Sequence, residues 1–98
     1  MYEVIISSEF SKQFYHLPKK IQDRARKILS ELEKRLKGYK LKGDLLGFYS
    51  VHFERNKYRL IYYKEENTIK ILAVQVGLRK KNFYKDFKKY LKQHPIGY

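Results

Sequence analysis

The stretch GFYSVHFERNKYRLIYY, residues 47 to 63, constrains this chain more than any other. Two runs of alternating residues flank Glu54-Arg55-Asn56-Lys57, a pattern that predicts a β-hairpin. With a two-residue turn at Arg55-Asn56, Phe53 faces Tyr58, Val51 faces Leu60 and Tyr49 faces Tyr62. A four-residue turn from Glu54 to Lys57 keeps the same pairs. Side chains alternate along a strand and directly opposed residues share a face, so these six form one core face. The other face pairs His52 with Arg59, Ser50 with Ile61 and Phe48 with Tyr63. A slip of one residue would set apolar side chains against polar ones, so this register is favoured.

The rest of the chain supplies partners for that core face. Residues 2–7, YEVIIS, are short and rich in β-branched residues, and read as a strand. Ser8 reads as the N-cap of a short helix over 9–16, with Phe10 and Phe14 on one side. Pro18 suits the first turn of a second helix, where its missing N–H does no harm. In that helix, 19–37, Ile21, Ala25, Ile28, Leu29, Leu32 and Leu36 recur at three- and four-residue steps and form one apolar stripe. Lys34, Arg35 and Lys37 in its last turn complement the helix dipole, and Gly38 reads as its stop. Its charged face mixes in Asp23, Glu31 and Glu33, which favours a solvated surface.

Residues 39–47 read as a connecting segment. Strands are expected at 48–54, 57–64 and 68–76, with a turn at Glu65-Glu66-Asn67. In the last strand odd and even positions are both apolar, so it is central or covered on both sides. Gly77 to Lys81 reads as a basic loop. Residues 82–93 read as a final helix with Asn82 at its cap, Phe83, Phe87, Tyr90 and Leu91 on one side, and Pro95 ending it. The order β-α-α-β-β-β-α predicts one α+β domain over 1–98, its helical pair packed on one face of a small, mostly antiparallel sheet. Ile61 and Tyr63 on the open face suit either the final helix or a partner segment.

Composition narrows the function. The 98 residues are 43% hydrophobic, too apolar for a disordered chain. No apolar run approaches the roughly 18 residues of a membrane span. MYEVIISSEF lacks the basic and apolar segments of a secretory signal, so a cytoplasmic protein is expected. The absence of cysteine excludes a disulfide framework and a cysteine zinc site, and His16, His52 and His94 form no metal-ligand pattern. Neither metal nor cofactor is expected. The net charge of +13 points to a polyanion, and equally fits a solvated basic surface.

His52 and Arg59 give that charge a chemical reading. Opposed Cβ atoms lie about 4.5–5.5 Å apart, so both side chains reach one small target. An imidazole titrates near neutrality and moves a proton; a guanidinium binds a phosphate through two parallel hydrogen bonds. RNA cleavage by an attacking 2′-OH needs such a base and such a cation. The ordinary alternative is an exposed strand histidine and a surface arginine. Arg79, at the end of the last strand, adds a second guanidinium where loops carry function. Tyr84, on the first turn of the final helix, is placed to stack on a base, to donate a proton, or to pack.

The segments FSKQFYHLPKKIQDRARKIL, LKGDLLGFYSVHFERNKYRLIYY and ILAVQVGLRKKNFY together resemble the RelE/ParE toxin superfamily. Their order and spacing span about residues 3 to 84. The resemblance implies a β-α-α-β-β-β core with a C-terminal helix, and the toxin of a toxin–antitoxin pair. RelE-type members are ribosome-dependent endoribonucleases that cut mRNA in the A site, whereas ParE-type members poison DNA gyrase. It makes Arg59 of YRLIY and Arg79 of VGLR the catalytic arginines, with His52 as the candidate base and Tyr84 near a tyrosine that stacks on mRNA. Ser50 and His52 fall where some RelE toxins carry two lysines. Serine cannot replace that charge, so Arg55, Lys80 and Lys81 join Ser50 as candidate RNA contacts. The implied partners are a RelB-like antitoxin, the ribosome with its mRNA, and operator DNA through the antitoxin complex. A gyrase inhibitor and an inactive toxin-derived binding domain are the alternatives.

Overall fold

The computed structural model describes residues 1–95. Its elements are β1 (Glu3–Ile6), α1 (Ser8–Tyr15), α2 (Lys19–Leu32), β2 (Tyr39–Lys40), a 3₁₀ turn (Gly43–Leu45), β3 (Phe48–Phe53), β4 (Tyr58–Tyr63), β5 (Lys70–Leu78) and α3 (Phe83–Gln93). They build one five-stranded sheet in the order β1-β5-β4-β3-β2. β1 runs parallel to β5 and every other pair is antiparallel. Among the described residues no helix is long and apolar enough to cross a membrane.

The hairpin has the predicted register throughout, from Phe53 opposite Tyr58 to Phe48 opposite Tyr63. Arg55 and Asn56 have φ of 54° and 67°, and the Lys57 N–H donates to the Glu54 carbonyl at 3.1 Å. Left-handed residues at both central positions match the twist of the flanking strands. The α1/α2 pair covers one face of the sheet, where Phe10, Phe14, Ala25, Ile28 and Leu32 meet Val51, Leu60, Tyr62, Ile71 and Ala73. α3 covers the other face with Phe87, against Phe48, Ile61 and Val74. The doubly apolar β5 is therefore covered on both sides, and the final helix supplies the second cover.

Several boundaries differ from the sequence pattern, each for a tertiary reason. Ser7, not Ser8, caps α1: its side chain accepts from the Phe10 N–H at 3.0 Å. The Ser7 N–H donates to the Ala73 carbonyl, so strand pairing holds Ser7 extended and the helix starts at Ser8, one residue earlier than expected. Pro18 sits at the cap of α2 rather than within it, and its carbonyl accepts from the Ile21 and Gln22 N–H groups. α2 stops at Leu32 instead of reaching 37. The Glu33 carbonyl accepts from the Tyr2 N–H at 2.8 Å, and the Tyr62 hydroxyl donates to the Lys37 carbonyl at 2.6 Å while accepting from its N–H at 3.1 Å. These bonds hold the chain out of the helical path. Burial pushes the Tyr62 phenol up to about 12. The cations expected at the helix end thus lie beyond it.

Gly38 does not stop a helix. It lets the chain approach β3: a Cβ there would lie 2.3 Å from the Ser50 carbonyl oxygen. The expected connecting segment begins with a short edge strand, β2, pairing Tyr39 with Ser50 and Lys40 with Tyr49. β5 continues to Leu78, so Gly77 and Leu78 leave the predicted basic loop for the sheet. β1 ends opposite Ala73, and Gln13 of α1 covers the β5 edge beyond it. Gln13 hydrogen-bonds the Gln75 side chain and accepts from the Val76 N–H at 2.8 Å.

Gly38 and Gly43 both have positive φ, 85° and 63°, but nothing lies within 4 Å of a Cβ at Gly43. Gly43→Ala is expected to cost about 1 kcal/mol, the left-handed penalty alone. Gly38→Ala adds a backbone collision and should cost at least about twice that. Urea unfolding of both variants checks the difference; equal losses contradict the close approach.

Candidate active site

The site is assembled by strand register. Arg59 lies on β4, opposite His52 of β3 on one side and Gly77 of β5 on the other. Opposed residues share a face, so His52 is beside Arg59, while Gly77 puts no side chain on its other flank. An added Cβ at Gly77 would meet nothing within 4 Å. Arg79 follows β5, and its N–H donates to the Lys57 carbonyl at 2.7 Å, which ties it to the hairpin end. The structure thus gathers His52, Arg59 and Arg79 at one end of the sheet.

Tyr84 closes the group from α3. Its ring lies 4.8 Å from the Arg59 guanidinium carbon, a cation–π contact. Its hydroxyl donates to Ser50 Oγ at 2.9 Å. Ser50 is fully buried beneath it. The expectation of Ser50 as an RNA contact therefore gives way to a different role, anchoring Tyr84 over Arg59. Tyr84 packs rather than presenting a free hydroxyl. Asn82 precedes α3, but its side chain makes no capping hydrogen bond. The Arg59 Nε is buried with no hydrogen-bond partner among the described residues. A buried, unmet donor calls for an acceptor.

His52 sits in a repulsive field. Burial first, and then the positive charges of Arg59 and Arg79, hold its imidazole below the ordinary 6.5. Each cause disfavours the charged form. At neutral pH the ring is an uncharged base beside two fixed cations. Lys80, Lys81 and Arg55 are exposed: the lysines follow Arg79 directly, and Arg55 stands at the hairpin tip. Among the described residues no group of three His, Cys, Asp or Glu is placed to hold a metal.

The sequence pattern does not single out Tyr39, whose ring centroid lies 5.3 Å from that of His52 at 49°. A two-residue strand has no periodicity to detect. The available signal was Gly38-Tyr39, a glycine permitting close approach followed by a β-favouring aromatic.

This architecture is that of a small toxin fold. The isolated E. coli RelE toxin matches it with a TM-score of 0.68 at 21% identity, covering 93% of this chain and 100% of that one. A free E. coli RelE in which two arginines are replaced by alanine matches at 0.72 and 18% identity, covering 97% and 98%. The RelBE2 toxin–antitoxin complex of Mycobacterium tuberculosis matches at 0.67 and 22% identity, covering 80% and 91%. At these identities the likeness is one of fold. No curated protein matches the sequence. The family model described as ParE toxin of type II toxin-antitoxin system, parDE, matches residues 4–83. The chain belongs to this family, within the RelE/ParE superfamily, and is a toxin of a type II toxin–antitoxin system.

An NMR pH titration should find the His52 imidazole below its ordinary 6.5. Arg59→Gln removes one repelling charge, so the value should rise, yet stay depressed because burial is the larger cause. An unchanged value contradicts the coupling.

Proposed function

We propose that this toxin is a ribosome-dependent, metal-independent endoribonuclease that cleaves mRNA in the A site and thereby inhibits translation. The observation that carries this reading is that strand register sets the His52 imidazole beside Arg59, where burial and the charges of Arg59 and Arg79 favour its neutral form. His52 takes the proton of a nucleotide 2′-OH, whose oxygen attacks the adjacent phosphorus. Arg59 and Arg79 bind the non-bridging oxygens and stabilise the charge that builds on the phosphorane. The 5′-oxygen leaves with a proton from the imidazolium, giving a 2′,3′-cyclic phosphate and a 5′-hydroxyl. Tyr84, tethered by Ser50, fixes the Arg59 plane. Lys80, Lys81 and Arg55 add sequence-independent attraction to RNA, which weakens as salt rises.

The partners follow from the same reading. E. coli RelE has been solved in complex with its antitoxin and with an antitoxin peptide. For this chain we infer a RelB-like antitoxin that covers the site, operator DNA contacted through that complex, and a cytoplasmic target. The second reading, a ParE-like gyrase inhibitor, is favoured by the name of the matching family. It requires no base, so His52→Ala would be silent, and gyrase–DNA cleavage complexes would accumulate while mRNA stays intact.

Arg59→Ala and Arg79→Ala should each lower cleavage about 10²–10³-fold, the loss typical of one transition-state contact, with unfolding midpoints near wild type. Primer extension on mRNA from induced cells, wild type beside each variant, reads this directly. Full cleavage by both variants overturns the assignment. The wild-type rate should rise with pH through the depressed His52 value and then level, and His52→Ala should remove that acidic limb.

A further inference from the structure

Tyr39 stands beside the proposed base, and the cleavage step does not use it. Gly38 places it there, because only a residue without Cβ brings β2 this close to the Ser50 carbonyl. Tyr39 pairs with Ser50, so it lies on the face that carries Ser50 and His52, with His52 as its diagonal neighbour. The two tyrosines of this face differ in kind. Tyr84 is half-buried over Arg59 with its hydroxyl committed. Tyr39 is 67% exposed and its hydroxyl has no hydrogen-bond partner among the described residues. Beside it opens a cleft of about 520 Å³ that reaches from Arg35 to His52. Lys37 is engaged with Glu31 at 2.8 Å, whereas Arg35, which lines the same cleft, is exposed and takes part in no ion pair among the described residues. An exposed ring beside an exposed cation, next to a proton acceptor, suits a base and its neighbouring phosphate in a single strand of RNA.

We propose that Tyr39 is a nucleobase-stacking subsite: its ring holds the base adjacent to the scissile phosphate, while Arg35 faces a flanking phosphate. The position of the scissile phosphate rests on the cleavage reading above; the stacking does not. The subsite gives the toxin a sequence preference through stacking strength, and purines, with the larger π-face, are held better than pyrimidines.

A 2′-O-methyl oligoribonucleotide cannot be cut at the blocked hydroxyl, so fluorescence anisotropy with it separates binding from cleavage. Tyr39→Phe should bind like wild type. Tyr39→Ala should bind more weakly by between about 5-fold and about 150-fold, the worth of one base–aromatic stack, and lose more on purine-rich than on pyrimidine-rich RNA. With programmed ribosomes, Tyr39→Ala should raise KM while the pH dependence of kcat keeps its wild-type form. Tyr39→Ala binding as tightly as wild type overturns the subsite, as does Tyr39→Phe losing as much as Tyr39→Ala. A wild type that fails to bind the oligonucleotide, free or on the ribosome, overturns it too. If the wild type binds blocked RNA through Tyr39 yet cuts no unblocked mRNA on programmed ribosomes, the cleavage reading fails and the subsite stands. If it cuts, and Tyr39→Ala changes neither affinity nor KM, the subsite fails and the cleavage reading stands.

Discussion

The pairing of β3 with β4 holds the rest of this structure in place. Opposing Val51 to Leu60 and Tyr49 to Tyr62 gives α1 and α2 a face to pack on, and the same register sets His52 against Arg59 on the other face. A one-residue slip would flip one strand against the other, driving an arginine or an imidazole into the Phe10–Leu32 core. Tyr62 resists that slip from two directions. Its ring stacks on Tyr49 at 4.9 Å, and its hydroxyl satisfies both backbone groups of Lys37. A buried hydroxyl with two partners is hard to move, since each lost partner leaves a polar group unmet.

Concentrating charge on the open face works against stability. Two arginines converge on one imidazole, and the fold offsets part of this with the Tyr84 ring over Arg59. The consequence for pH has a definite sign. The folded imidazole titrates below the unfolded one, so in the window between the two the unfolded chain binds more protons. Stability therefore falls as pH drops from about 6.5 through the folded value, and above that window His52 contributes no pH dependence. Burial, together with the repulsion of the two arginines, weakens the fold in acid and keeps the imidazole unprotonated near neutrality.

The hairpin was legible in the sequence because a period of two with sharp apolar–polar contrast admits few registers. The face of α2 was legible for the same kind of reason, but its end was not. Tyr2 and Tyr62 take the Glu33 and Lys37 backbone groups, and such long-range bonds leave no local trace. Gly38 carried a signal that local rules assign to a helix stop, whereas its use is a close approach to Ser50. At the site, His52 and Arg59 could be paired from register alone. Arg79 and Tyr84 were marked by place alone, one at a strand end and one on the first turn of the final helix, and family resemblance made those roles definite. The Ser50–Tyr84 bond depends on where α3 lands, and Tyr39 on a strand too short to show a pattern.

On the proposed reading, His52, Arg59 and Arg79 drive attack by a ribose 2′-OH on its own phosphate, and the chemistry of the cut ends records that attack. Purified toxin incubated with programmed ribosomes in excess EDTA should leave 2′,3′-cyclic phosphate, or the 3′-phosphate it hydrolyses to, and 5′-hydroxyl ends, as identified by mass spectrometry. Ends bearing 3′-hydroxyl and 5′-phosphate, or mRNA left intact while gyrase–DNA complexes are trapped, would contradict it.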